Sequence, residues 1–244
     1  MAPETKLEIT GMRFSWDEQT IQWFLDATAY TEFHKTLAQN IKPYLEPGST
    51  LCDAGCGLGR LDLELAAYVK ELIAIDVNTN AISVLRCDAK KLGLDNLRAE
   101  VCDADALTKT FDTVLLSFFG QSNMAHFLHL CRHRLIRIVN ADTKSGLYPE
   151  RYRCNVKDTV PIVCAELDRL GMRYKLELYS CEFGQPLRSW EDAEQYVLKN
   201  APKATSREVH DFLNKNITRA ESKEFPFYLP NQKNLGIFII DKEE

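Results

Sequence analysis

Apolar residues recur every three or four positions through residues 17–44, which is the spacing of one buried helical face. Ile21, Leu25 and Leu37 belong to this face. The proline and glycine at positions 47 and 48 break the pattern. We therefore predict an N-terminal helical cap over residues 1–47.

From residue 48, short apolar runs alternate with segments of helical periodicity. The predicted strands are 50–54, 72–77, 97–102, 111–117, 135–140, 173–181 and 235–241. The predicted helices between them are 58–68, 80–92, 123–132 and 159–170. Strands that alternate with helices of this length are typical of βαβ units. The sequence thus predicts an α/β fold, a doubly wound and mostly parallel seven-stranded sheet with helices on both faces.

A long insertion, residues 182–232, separates the last two predicted strands. Two of its segments, 189–199 and 206–216, begin with a serine followed by an acid in the first turn, a helix-start pattern. A long structured insertion between late strands often forms a lid or a substrate wall. We predict one domain over residues 1–244, with a core of 48–181 and 233–244 and a helical insertion.

Composition narrows the class of protein. The chain has 244 residues, 45% of them hydrophobic, and a net charge of -5 from 30 Lys and Arg against 35 Asp and Glu. These values exclude a disordered chain or a coiled-coil rod. A mildly acidic total argues against non-specific binding of nucleic acid. With no predicted signal peptide or membrane span, we expect a cytoplasmic protein that binds neither nucleic acid nor membrane.

The eight cysteines are spread along the chain without a C-x-x-C pair. Such a distribution favours reduced, mostly buried thiols over a disulfide framework or a metal cluster. We expect no bound metal.

A glycine-rich segment, LCDAGCGLGR, follows the first predicted strand at residues 51–60. Asp53 ends the strand, and Gly55, Gly57 and Gly59 form a turn before the next helix. Glycines allow a tight turn and a close approach of a ligand to the backbone. A dinucleotide-binding fingerprint would require glycine or alanine where this chain has Arg60, which argues against a nicotinamide enzyme.

Two more acids end the next two predicted strands. Asp76 closes the second strand and is suited to accept hydrogen bonds from ribose hydroxyls. Asp103 and Ala104 follow the third strand, where an acid and a backbone amide could bind an adenine edge. With Asp53, these acids suit a ligand that has a ribose, an aminopurine and net positive charge.

This set of motifs resembles the class I S-adenosylmethionine-dependent methyltransferases over about residues 51–140. The matching motifs are D-x-G-x-G-x-G, the two strand-end acids with Ala104, and the F-D-x-V of strand four, residues 111–114. The resemblance implies S-adenosylmethionine as cofactor and an antiparallel last strand. It also implies a set of cofactor-binding residues: Asp53, Gly55, Cys56, Gly57, Gly59, Asp76, Val77, Asp103, Ala104 and Ser117.

The resemblance also suggests roles for these residues. The turn at residues 55–59 would hold the methionine part of the cofactor, with Asp53 near its amino group. Asp76 would bind the ribose. Asp103 and Ala104 would bind the adenine, and Val77 and Leu107 would pack on its faces.

The acceptor is harder to predict. The segment SFFGQSN at residues 117–123 lacks the N-P-P-Y-like motif of adenine and glutamine methyltransferases and the Pro-Cys pair of cytosine-C5 enzymes. Phe118 and Phe119 could line an apolar acceptor pocket or simply pack in the core, and Gln121 could position a polar acceptor. Tyr30 and His34 share a helical face by spacing and are candidates for a lid.

Two further segments, one basic and one rich in histidine, contain other candidate functional residues. Residues 132–157 are locally basic, and Arg151 and Arg153 follow strand five, where they could bind a carboxylate or phosphate. His126, His129 and His133 have the spacing of one helical face. They are candidates for a solvated face, a general base or, least favoured, a metal site.

We therefore predict a methyltransferase that acts on a small-molecule acceptor by in-line methyl transfer. A solvated loop is the favoured interpretation of the basic segment, and an anionic acceptor is the alternative that this segment suggests. The alternatives are an RNA or protein methyltransferase and a non-catalytic S-adenosylmethionine-binding protein. The sequence assigns no catalytic residue, and it leaves open whether the protein is a monomer or a homodimer.

Overall fold

The computed structural model describes residues 16–120, 123–143, 146–152 and 158–242. Ten strands lie within these residues, and seven of them form one sheet in the order β3-β2-β1-β4-β5-β10-β6. The strands are β1 (Thr50–Ala54), β2 (Glu71–Asp76), β3 (Leu97–Val101), β4 (Phe111–Ser117), β5 (Cys131–Asn140), β6 (Lys175–Glu182), β7 (Gln185–Leu187), β8 (Thr218–Arg219), β9 (Phe227–Leu229) and β10 (Gln232–Asp241).

The pairing of the strands confirms the predicted fold class. Strands β1 to β5 are parallel to one another, and β10 is antiparallel to both β5 and β6. Residues Val114–Leu116 of β4 are completely buried. A continuous apolar run of this kind is typical of a parallel strand that is covered on both faces.

Helices cover both faces of the sheet. They are α1 (Glu18–Thr31), α2 (Phe33–Ile41), α3 (Arg60–Leu65), α4 (Thr79–Lys91), α5 (Met124–Leu130), α6 (Val160–Arg169), α7 (Trp190–Asn200) and α8 (Ser206–Asn216). Apolar residues of α2, α3 and α4 pack on one face, and those of α5 and α6 pack on the other. Because side chains of a strand alternate, Leu51 and Cys52 enter opposite cores.

The N-terminal region differs from the single helix that the spacing predicts. Glu32 has a left-handed backbone conformation, with φ of 51°, and separates α1 from α2. Tyr30 and His34 consequently lie on different helices, so the prediction that they share one helical face is wrong.

The insertion contains the two predicted helices, α7 and α8, and a small sheet that the sequence does not predict. Strands β7, β9 and β8 form this three-stranded antiparallel sheet. The insertion holds α1 through the Trp23 indole, which donates to Asp192 Oδ1 at 2.8 Å, and through an ion pair between Arg188 and Asp26.

Strand β1 lies between β2 and β4, where the direction in which strands are added reverses. In open α/β sheets, ligands bind at the carboxyl ends of the strands at this position. Ala54 pairs with Ile75, and Asp76 pairs with Val101, so the carboxyl ends of β1, β2 and β3 meet at one edge.

Among the residues that the structure describes, no helix has the length and apolar character needed to cross a membrane.

Candidate cofactor and acceptor sites

The segment after β1, residues 55–59, forms a glycine turn. Gly55, Gly57 and Gly59 have φ values of 77°, 56° and 62°, a region that side chains with a Cβ atom rarely occupy. The backbone N–H groups of Gly55 and Cys56 donate to the carbonyl of Ile75 at 2.8 and 2.9 Å. The turn is thereby fixed against the end of β2.

Two aromatic rings lie directly on the glycine turn. A Cβ atom at Gly55 would overlap the ring of Phe119, and a Cβ atom at Gly57 would lie 3.2 Å from the ring of Trp16. Phe119 also contacts Phe127 edge to face, with 5.6 Å between the ring centroids. One side of the Phe119 ring therefore meets the core, and another side meets the glycine turn.

Asp76 is held rigidly at the end of β2. Its Oδ2 accepts from the Gly57 N–H at 2.9 Å, and its Oδ1 accepts from the Asn78 N–H at 2.8 Å. The next residue, Val77, leaves 41% of its surface exposed although it is apolar. This edge thus combines a fixed carboxylate with an exposed apolar surface.

Asp53 is almost completely buried, at 1% exposure, where β1 enters the glycine turn. Asp62, in the first turn of α3, is buried at 0% exposure and lies beside it. Burial raises the pKa of Asp53 well above its usual value, and the charges of Asp62 and Asp76 raise it further. Burial also raises the pKa of Asp62 to about 7.

The residues after β3 form a short 3₁₀ turn, Ala104–Ala106. The Asp103 carboxylate accepts from the Asp105 N–H at 3.1 Å and therefore caps this turn, while Ala104 is buried. The His126 imidazole lies beside the same turn, with Nε2 at 3.1 Å from the Ala104 carbonyl oxygen. Ser117 is half-buried at the end of β4.

His126 and His129 belong to α5, but α5 ends at Leu130 and His133 lies on β5. The prediction of one helical histidine face is therefore wrong. The strand begins earlier than expected because Cys131 already pairs with Phe111 of β4. Within the described ranges, no group of three or more His, Cys, Asp or Glu side chains is arranged to hold a metal ion.

An aromatic cluster extends from the glycine turn to β10. Trp16 contacts Phe24 edge to face at 5.2 Å between centroids, which links the turn to the cluster. The cluster consists of Phe24, Phe33, His34, Phe118 and Phe183, whose ring centroids lie 4.5–6.3 Å from their neighbours.

Lys233, on β10, is the cation of this cluster. Its Nζ lies 3.6 Å from the ring centroid of Phe118, and 5.2 and 5.3 Å from those of Phe33 and Phe183. An ammonium group over aromatic faces is attracted by their quadrupoles. Phe118 has a φ of 50°, which is unusual for a residue with a large side chain.

His34 is a neutral member of the aromatic cluster. Its Nδ1 lies 3.3 Å from the Thr28 hydroxyl oxygen. Burial lowers the pKa of His34 to about 3, and the positive charges of Lys233 and Arg60 contribute to the decrease. The imidazole therefore stays uncharged at neutral pH.

Other predicted acceptor residues lie elsewhere. Tyr30 is 41% exposed and stacks on Tyr228 of the insertion sheet, with 4.9 Å between the ring centroids. Arg151 forms an ion pair with Glu208 of α8. Gln121 and Arg153 lie outside the described residues.

The arginines of the basic segment that the structure describes are paired with acids. Their pairs are Arg132 with Asp112, Arg134 with Asp241, Arg137 with Asp158 and Glu166, and Arg151 with Glu208. This arrangement removes the main sequence argument for an anion site at these arginines.

The sequence analysis missed two residues of these sites, Asp62 and Lys233, and the contact that His126 makes. Asp62 had a detectable signal, because it lies four residues after Leu58 and three before Leu65, on an otherwise apolar helical face. Lys233 and the His126 contact had none, since both depend on tertiary contacts between distant segments.

Comparison with known proteins identifies the domain. Residues 45–160 match the family model of a methyltransferase domain. Over 89 residues the chain is 38% identical to ribosomal protein L11 methyltransferase of Lachnoclostridium phytofermentans, covering 34% of this chain and 25% of that protein. Over 99 residues it is 27% identical to the probable cobalt-precorrin-6B C(15)-methyltransferase (decarboxylating) of Methanococcus maripaludis, covering 41% and 55%. The chain thus spans about half or less of the length of these relatives.

A solved structure supports the same assignment at the level of the fold. Magnesium protoporphyrin IX methyltransferase from Synechocystis, with bound SAH, superposes with a TM-score of 0.52 and 14% identity, over 84% of this chain and 83% of that chain. At this identity the likeness concerns the fold alone. The matched domain model and this likeness of fold agree with the resemblance to the class I S-adenosylmethionine-dependent methyltransferases that the sequence motifs indicate.

Proposed function

We propose that this protein is an enzyme that transfers the methyl group of S-adenosylmethionine to a small, anionic acceptor. One observation carries the proposal. The acids Asp53, Asp76 and Asp103 follow the ends of three adjacent strands around a turn of positive-φ glycines. Oδ1 of the buried Asp53 has no hydrogen-bond donor among the described residues, as expected of a side chain that awaits a cationic ligand.

These residues fit the parts of the cofactor, which supplies an electrophilic methyl group on a sulfonium. Asp53 would bind the ammonium group above the glycine turn. Asp76 would accept from the ribose hydroxyls, because a carboxylate can accept more bonds than the two it already receives from the backbone. Asp103 and Ala104 would bind the adenine edge, with Val77 and Leu107 against its faces.

The aromatic cluster is the proposed acceptor site. It is linked to the glycine turn through Trp16 and contains the Lys233 ammonium. Aromatic walls exclude water from a nucleophile, and a half-buried cation favours an acceptor with a negative group. Lys233 thus takes the role that the sequence suggested for Arg151 and Arg153.

Methyl transfer in this site relies on positioning. A nucleophile must be held close to the methyl carbon and in line with the bond that breaks. The imidazole of His34 is a weak base because of its low pKa, so it is better suited to hydrogen-bond the acceptor than to remove a proton. Phe118 and Phe119 would limit the size of the acceptor.

The proposal predicts where a transferred methyl group appears. We expect the purified protein, incubated with methyl-labelled S-adenosylmethionine and a cell extract, to label the small-molecule fraction rather than the protein or RNA fraction. Lys233→Met should reduce this labelling because the anionic acceptor loses its cation, whereas the matched variant Lys242→Met should not. Label in protein or RNA would contradict the proposed acceptor class, and binding of cofactor without any labelling would indicate a non-catalytic protein.

A further inference from the structure

Asp62 occupies a position where a charged side chain is unexpected. It lies in the first turn of α3, where it is buried together with the apolar side chains of Leu61 and Leu65. Its side chain is at 0% exposure, and the neighbouring Asp53 is at 1%. Two carboxyl groups are therefore buried side by side under the glycine turn.

Three of the four oxygen atoms of the two carboxyl groups lack a hydrogen-bond donor among the described residues. Across the described part of the chain, neither oxygen of Asp62 nor Oδ1 of Asp53 receives a hydrogen bond from another group. A buried carboxylate without a donor is costly, and two that touch cannot both be ionised. In the free protein the pair is stable when it shares one proton.

The charged groups around Asp53 and Asp62 favour a pair that holds one proton. Asp76 of β2 adds a negative charge that favours the protonated form of Asp53, and Arg60 of α3 partly opposes this for Asp62. The two nearby thiols, Cys52 of β1 and Cys56 of the glycine turn, are neutral because burial raises their pKa values.

We propose that Asp62 is a second cofactor-binding acid, which shares one proton with Asp53 in the free protein and releases it to solvent when the ammonium of S-adenosylmethionine binds. An ammonium group has three N–H donors. The pair offers three oxygen atoms without a donor. This inference rests on the proposed cofactor site and adds to it a residue and a linked proton.

Proton release can be measured by calorimetry at pH 6 to 7 in buffers of different ionisation enthalpy. We expect S-adenosylhomocysteine, which keeps the ammonium group, to release about one proton. 5′-Methylthioadenosine lacks that group and should release none. The affinity for S-adenosylhomocysteine should rise up to about tenfold per pH unit, until the pair of the free protein has lost its proton. This comparison requires no variant and so does not depend on the folding of one.

The Asp62→Asn variant tests whether the released proton comes from the pair of Asp53 and Asp62. Its amide can donate to Asp53 in place of the shared proton, so the variant should fold, bind S-adenosylhomocysteine and release no proton. Glu64→Gln, which changes an exposed acid on the same helix, should release as many protons as the wild type. The inference would be overturned if Asp62→Asn released as many protons as the wild type on binding S-adenosylhomocysteine. It would also be overturned if the wild type released as many protons with 5′-methylthioadenosine as with S-adenosylhomocysteine. Failure of the wild type to bind either ligand would instead overturn the proposed cofactor site.

Discussion

Asp76→Ala is expected to weaken the binding of S-adenosylhomocysteine about ten- to a hundredfold. In the proposed cofactor site, the variant loses the acceptor for the ribose hydroxyls. It also leaves the N–H groups of Gly57 and Asn78 without their acceptor, which loosens the glycine turn. Isothermal titration calorimetry would measure the change.

Asp105→Ala is a suitable control for this prediction. Asp105 is an exposed acid at the same edge of the sheet, and its role in the 3₁₀ turn involves only its backbone N–H. Its replacement should leave the affinity unchanged. Normal affinity in Asp76→Ala would show that the ribose does not bind at the end of β2.

Asp158→Ala is expected to cause the largest loss of stability, about 3–5 kcal/mol in the free energy of unfolding. Arg137 of β5 is fully buried at 1% exposure and pairs with Asp158 and, at 3.3 Å, with Glu166. Removal of Asp158 leaves Glu166 as the one acid paired with the buried Arg137 guanidinium among the described residues, so its positive charge is no longer fully compensated. Denaturant unfolding would measure the loss.

Asp241→Ala provides the comparison. Asp241 pairs with Arg134 at the other end of the same strand pair, but its side chain is 65% exposed. Exposed ion pairs contribute about 1 kcal/mol or less. A loss of similar size in both variants would contradict the view that burial makes the Arg137 pair important.

The core of the fold was predictable because its signals are local. Strands β1, β2 and β4 are largely apolar runs. β1 is followed directly by Gly55 and β2 ends at Asp76, and Gly55, Gly57 and Gly59 adopt the positive φ that glycine permits. The strand-end acids could therefore be placed at one edge before any tertiary contact was known. The antiparallel last strand followed from the family resemblance and is confirmed.

The features that were missed depend on contacts between distant segments. Strands β7 and β9 have three residues each and β8 has two, too few to show a period. Arg137 looked like part of a basic surface because nothing near it in sequence reveals its pairing with Asp158. Lys233 approaches Phe33 only because β10 returns to the sheet and inserts between β5 and β6.

The central claim is that the carboxyl ends of β1, β2 and β3 hold S-adenosylmethionine. Calorimetric titration of the wild-type protein with S-adenosylhomocysteine and, separately, with NAD tests it most directly. The account predicts saturable binding of one S-adenosylhomocysteine per chain and no binding of NAD. Binding of NAD without any affinity for S-adenosylhomocysteine would contradict it.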